Sequence, residues 1–510
     1  MKLYLPALLL LALPLGAAAQ EHSGDHPAPE KLGHVSFLNS CAPQVQAKFE
    51  RALALLHSFA YLAADNAFEE VEREDPKCAI AGWGQAMANF HQIWEPPISP
   101  AGLDRGRAAL EWAQTTGAGS ARERNYINAL APMFLNAATV PYDARLQRYE
   151  QAMERLAVNY PRDPEARIFY ALSLLATAAP DDKTHRNQKK AADILEPLYR
   201  EFPDHPGVVH YLIHACDNAE MAQRGLEPAR VYSRIAPSAP HALHMPSHIF
   251  TRLGMWNESI ESNLAAREAA HQQGDIGEEL HAMDYLVYAY LQNGDEAKAA
   301  GVLADLRGMG ALPAGFKTGY ASTAMPVRYA IERRKWQEAT QCSAAPGTSP
   351  WVEAVAVWAR AVGRARTGDT GGAQAEITKL MQLEKNSQSL RESYWAEQVR
   401  IQVLSASGWY AQANSESAQA ETALRRAADL EDAIEKRPVT PGPVTPAREQ
   451  LADLLLEQGH AKEALAEYES SLRASPRRRG ALTGALEAAK YVGNQEKVRL
   501  YSKALEPAPR

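Results

Sequence analysis

Thirty-four residues separate Gly459 from Gly493, and the residues between them are placed as a helix–turn–helix unit requires. Leu451 and Leu455 lie on one face of a first helix. Gly459 marks the turn, and Ala464 is the small residue that lets two helices cross closely. Tyr468 falls one turn later on the same face, and Pro476 ends the second helix. Such a pair has an apolar face that only a neighbouring pair can cover, so the pattern demands a stack of repeats. Further back, Gly408, Gly368, Arg334, Gly294 and Gly254 occupy equivalent turn positions. Each is followed five residues on by a small residue: Ala413, Ala373, Ala339, Ala299 and Ser259. In the N-terminal half, Ala64, Phe68 and Pro76 fit one unit and Ala191, Leu195 and Pro203 another, while the stretch from about 100 to 165 is helical but out of phase.

The predicted fold class is all-α, a tetratricopeptide-like (TPR-like) α-solenoid of antiparallel helix pairs forming a superhelix. No segment alternates as a strand would. The expected organisation is a leader peptide over 1–19, a flexible His- and Pro-containing segment over 20–42, divergent helical repeats over 43–205 and central repeats over 206–437. A Pro-rich loop over 438–446, expected as a spacer between repeat blocks, and a C-terminal repeat pair over 447–508 complete it.

Lys2, the apolar run Leu3–Leu15 and Ala17-Ala18-Ala19 have the form of a secretory signal peptide cleaved after Ala19, so the expected location is periplasmic or secreted. No later segment is apolar enough to predict membrane insertion. The chain has 54 basic and 61 acidic residues, and loss of Lys2 makes the balance −8. That charge gives no electrostatic reason to expect nucleic acid as a partner. Of the four cysteines, Cys41 precedes the first predicted helix and Cys78 follows the second. A bridge between them and a pair of free, half-buried thiols both fit the sequence.

Four segments carry a closer likeness: Leu55-Leu56-His57-Ser58-Phe59 with the stretch from Asp75 to Gly84; His210-Tyr211-Leu212-Ile213-His214; the stretch from His241 to Phe250; and Glu435-Lys436-Arg437-Pro438-Val439-Thr440-Pro441-Gly442-Pro443. On these the chain resembles a group of secreted bacterial TPR proteins. The resemblance implies the fold and the location, and it supplies no mechanism. It also implies that relatives often carry His where this chain has Arg437.

Histidine is unevenly distributed. Of fifteen in the chain, eight fall between 205 and 281: His205, His210, His214, His241, His244, His248, His271 and His281. His210 and His214 are four residues apart on a helix beginning near Pro206. His241, His244 and His248 share a face of a helix beginning near Pro240. A shorter helix, about Leu226 to Ile235, separates the two. Both His-bearing segments thus read as first helices of successive repeats, which line the concave surface and face each other. Imidazoles so spaced can share a transition metal, with copper or zinc the best matches; they can also line a groove for a peptide carboxylate or another anion, or bond carbonyls of the next unit as buried structural groups. Tyr211 follows His210, so the His-Glu-x-x-His zincin motif is absent.

Other groove-facing candidates are Arg328, Glu332, His281 and Asp284, as ligand-binding residues for a carboxylate or another anion. His57, Trp83, His91 and Trp94 form an N-terminal set. The function expected first is therefore an extracytoplasmic TPR scaffold holding a protein, a peptide or a small-molecule ligand. The alternative is a metalloprotein or metal-dependent enzyme with copper or zinc on the five histidines.

Overall fold

A computed structural model describes residues 30–93, 98–390 and 392–506. The segment expected as a signal peptide and Trp94 lie outside the described residues. Every regular element among those residues is a helix, and successive helices pack as antiparallel pairs. No helix among them is long and apolar enough to cross a membrane.

Short polar punctuation builds the array. Gly294, Gly368 and Gly493 each end a helix at φ between +73° and +85°, a conformation glycine adopts without strain. The next residue then caps the following helix: Asp295 accepts from the Lys298 N–H, Asp369 from Gly372 and Asn494 from Lys497. Arg334 makes the same turn at φ +54°. Five residues after Gly294, Gly368, Arg334 and Gly459, the residues Ala299, Ala373, Ala339 and Ala464 are fully buried, as is Ser259 after Gly254.

One unit is corrected. Gly408 lies inside the helix Ser393–Ala413, and Ala413 is exposed. The turn falls at Ser415, at φ +63°, and the buried small residue five positions on is Ala420. Gly408 serves close packing instead, since a Cβ there would lie 2.7 Å from Leu424 Cγ.

The segment expected to be flexible over 20–42 is packed from residue 31 onward. Leu32, Val35 and Phe37 are buried, Phe37 lies against Phe49, Trp83 and Tyr126, and the Lys31 N–H donates to Ser238 Oγ. The apolar content of Leu32, Val35 and Phe37 outweighs the Pro and His around it. Cys41 and Cys78 form a disulfide, with Cα atoms 4.6 Å apart. The Pro-rich loop is more than a spacer. Val439 to Gly442 are buried, and Arg328 donates to Thr440 Oγ1 at 2.7 Å and to the Gly442 and Pro443 carbonyls at 2.9 and 3.2 Å.

Candidate metal centre

Helix Pro206–Cys216 carries His210 and His214. The second His-bearing segment is divided by Pro246 into Pro240–His244 and Pro246–Arg252. Met245 between them keeps helical angles, φ −52° and ψ −36°, so His241, His244 and His248 retain helical spacing. Helix Ile276–Asn293 adds His281.

These six rings do come together, although in the interior rather than on an open concave surface. His210, His241, His244, His248 and His281 are at most 3% exposed, and His214 is 7% exposed. The expected pair and triplet also regroup. His210, His214 and His241 offer ligand nitrogens within 4.8 Å of one another, and so do His244, His248 and His281. The two clusters adjoin, with His214 and His248 rings 6.0 Å apart and His241 and His244 rings 6.1 Å apart.

The hydrogen bonds behind the rings fix their tautomers. His244 Nδ1 is 2.6 Å from Asn263 Oδ1. The Asn263 amide nitrogen donates to the Ser259 carbonyl at 2.7 Å, so the Asn263 oxygen faces His244, and His244 Nδ1 carries the proton. His248 Nδ1 lies 2.9 Å from Asp217 Oδ2 and donates to that carboxylate. Both rings therefore turn an Nε2 lone pair inward, and the two Nε2 atoms are 3.0 Å apart. Two lone pairs at that distance repel unless a proton or a cation sits between them. Burial opposes the proton: it holds the His244 imidazole well below its ordinary pKa and lowers that of His248 despite the attraction of Asp217. A separation of about 3 Å is what two nitrogens about 2.0 Å from one ion would show.

The first cluster repeats part of this arrangement. His210 Nδ1 donates to the His57 carbonyl at 2.6 Å, leaving Nε2 as a lone pair 3.1 Å from His214 Nε2. The outward His214 Nδ1 is buried without a hydrogen-bond partner. His241 Nδ1 lies 3.3 Å from Glu278 Oε2. Burial depresses the pKa of His210 and His214, and also of His281 in the second cluster. Neutral imidazole is the form that binds metal. Phe59, at φ +55° just beyond helix Gln46–His57, lays its ring 4.4 Å from His210 and 5.5 Å from His241 and closes that side.

The carboxylates behind the rings have cations of their own. Asp217 receives Arg252 at 2.8 Å and Lys436 at 3.1 Å, and Glu278 receives Lys317 at 2.6 Å. Both are held well below the usual carboxylate range against the effect of burial, with Lys436 and Arg252 acting on Asp217 and Lys317 on Glu278. A third group, His57, Glu165 and His205, is of a different kind. Glu165 bonds both imidazoles, at 2.9 and 3.0 Å, and the other ring nitrogens meet Tyr211 OH and the Val208 N–H. Each of those ring nitrogens is satisfied by protein, which marks a structural brace.

The ligand-binding residues expected on the groove are placed otherwise. Arg328 is fully buried and pairs with Asp284 at 2.9 Å, besides holding the Pro-rich loop. Glu332 grips Arg478 with both oxygens, at 2.8 and 3.0 Å, and Glu449 completes that cluster. Arg328, Asp284 and Glu332 are thus engaged by the chain itself, because buried guanidinium and carboxylate groups take the nearest partner. His281 belongs with His244 and His248. Trp83 is core, and His91 stacks on Tyr61 at 4.1 Å. Sequence reasoning missed the roles of Asn263, Glu278 and Glu165. Only Glu278 had a signal, three residues before His281.

No protein-family model matches the chain, and no curated protein matches it. Among solved structures, the human IFIT1 dimer with m7Gppp-AAAA is 14% identical with a TM-score of 0.34, over 84% of this chain and 89% of that one. The Rap protein complexed with Competence and Sporulation Factor is 10% identical with a TM-score of 0.39, over 88% of this chain and 100% of that one. These likenesses extend to the helical-repeat fold alone.

Proposed function

We propose that the protein is an extracytoplasmic helical-repeat metalloprotein that holds copper or zinc on its two three-histidine clusters. The observation that carries the reading is the pair of Nε2 lone pairs of His244 and His248, 3.0 Å apart in the interior, with both Nδ1 protons committed elsewhere. Acceptors bonded to the outer ring N–H, as here, orient metal-binding imidazoles and fix their tautomers. The donors are neutral nitrogens, which suits copper and zinc and disfavours the oxygen-seeking magnesium and calcium ions. The Cys41–Cys78 disulfide supports an oxidising compartment, in keeping with the leader read from the sequence.

The test is elemental analysis of protein purified without a polyhistidine tag, beside a His244→Ala/His248→Ala variant and a His210→Ala/His214→Ala variant. The expected result is stoichiometric copper or zinc in the parent and one fewer equivalent in each folded variant. Metal-free parent protein that stays metal-free after reloading with either ion would overturn the reading.

A further inference from the structure

A cavity of about 1050 Å³ lies apart from the histidines, between residues of the N-terminal helices, the segment from Gly310 to Ser322, the residues around Trp351 and Trp395, and the Pro-rich loop. Its volume matches that of a site for a drug-sized organic molecule. The wall is largely apolar and aromatic. Phe316 meets Trp395 edge-on at 5.5 Å, and the Trp351 and Trp395 planes lie within 9° of parallel at 6.0 Å.

One cation in that wall stands out by what it lacks. Arg437 places its guanidinium carbon 4.6 Å from the Tyr394 ring centre and 5.9 Å from that of Trp395, and its backbone N–H donates to Tyr394 OH at 3.0 Å. Among the described residues no acceptor meets its side-chain N–H groups. Arg252, Arg328 and Arg478, by contrast, each have a carboxylate oxygen within 3 Å. Arg105, the other arginine on the wall, is paired with Asp65. Glu392 shares the wall and feels the charge of Arg437, but no salt bridge closes between them. Arg437 is thus fixed by stacking with its donors unused, the condition in which a guanidinium accepts a carboxylate bidentately.

We propose that this cavity binds an organic carboxylate, with an aromatic or aliphatic body against Phe316, Trp351 and Trp395 and its anionic head on Arg437. The site adjoins the second histidine cluster through one residue. Tyr285 OH donates to the carbonyl of Pro438, which lines the cavity, and lies 3.4 Å from His248 Nε2. The proposal does not depend on metal, and its test is run on chelator-treated protein.

The full chain is titrated with the fluorescent anion 1-anilinonaphthalene-8-sulfonate, and the bound dye is displaced with 1-naphthoate or its uncharged analogue 1-naphthylmethanol. One dye site per chain is expected, with energy transfer from tryptophan, and naphthoate should displace it at least tenfold more strongly than naphthylmethanol. Arg437→Gln should abolish that preference while leaving naphthylmethanol unchanged. Ser322→Trp, which places an indole inside the cavity, should weaken dye binding. Equal displacement by the two competitors in the parent protein would overturn the proposal whether or not the variants fold. Unchanged dye binding in a folded Ser322→Trp variant would overturn it as well.

Discussion

Metal should raise the thermal stability of this protein by an amount that the size of the fold sets. An ion bound only by the folded state at 100 times its dissociation constant contributes about 2.7 kcal/mol. Unfolding entropy is about 2.1 cal/mol/K per residue, so roughly 470 described residues give about 1 kcal/mol/K if the array melts as one unit. One occupied cluster should then raise the melting temperature by about 3 °C and two by about 5 °C. The assay is differential scanning calorimetry at pH 7.5, in chelator and then in excess zinc. Asn263→Leu is the informative variant. It removes the acceptor that fixes the His244 tautomer while keeping all six imidazoles, so part of the zinc shift should disappear. A His244→Ala/His248→Ala protein should keep only the shift of the first cluster. If that double variant shows the full parental shift, zinc is binding elsewhere and the lone-pair argument fails.

Three other outcomes follow from the fold. Arg328→Met strands Asp284 in the interior and frees Thr440, so it should cost about 3–5 kcal/mol in urea unfolding and expose 438–446 to protease; undiminished loop protection would refute the clamp. Glu431 accepts the Ala447 N–H at 2.6 Å, yet burial pushes its pKa up to about 8. The folded state therefore holds its proton longer than the unfolded state. This contribution is full below pH 4.5, falls as pH rises towards 8, and is flat above. The urea midpoint should drop across that window in the parent and less in Glu431→Gln. Ser415→Gly should stabilise by about 0.5–1 kcal/mol by relieving a left-handed backbone, whereas Gly408→Ala should destabilise by meeting Leu424. The reverse order of midpoints would restore Gly408 as the turn.

The helix pairs were legible because a glycine followed by Asp or Asn has one strong structural meaning. Gly294-Asp295, Gly368-Asp369 and Gly493-Asn494 all end one helix and cap the next. Gly408 misled because glycine has a second use, close approach of helices, and a single sequence does not separate the two. The histidine face was legible from i, i+4 spacing: His210 with His214 do share an edge, and so do His244 with His248. The allocation of the third ring was not legible. His241 joins the first cluster and His281 the second, and both assignments depend on how three helices are rotated against one another. Arg328 was misread for the same reason. Its partners lie 44 and 112 residues away, so nothing local announced that its charge was already met.

The arrangement of charge explains why so many histidines can be buried together. A carboxylate beside an imidazole ordinarily favours imidazolium, and six buried imidazolium rings would be untenable. Here the carboxylates that orient the rings are neutralised from behind. Asp217 answers Arg252 and Lys436, Glu435 answers Arg252 in turn, and Glu278 answers Lys317. Asp217 and Glu278 thus keep their places beside His248 Nδ1 and His241 Nδ1 while their pull on a further proton is met by Lys or Arg. Asn263 performs the same task for His244 without any charge. The Nε2 atoms of His244 and His248 are left as unprotonated donors aimed at each other. A purely structural histidine cluster has no use for that arrangement, since its rings would alternate donor and acceptor, as His57 and His205 do around Glu165. The neighbouring brace shows that this chain can satisfy buried imidazoles by protein alone, whereas the hydroxyl nearest His248 Nε2, Tyr285 OH at 3.4 Å, is donated to the Pro438 carbonyl instead.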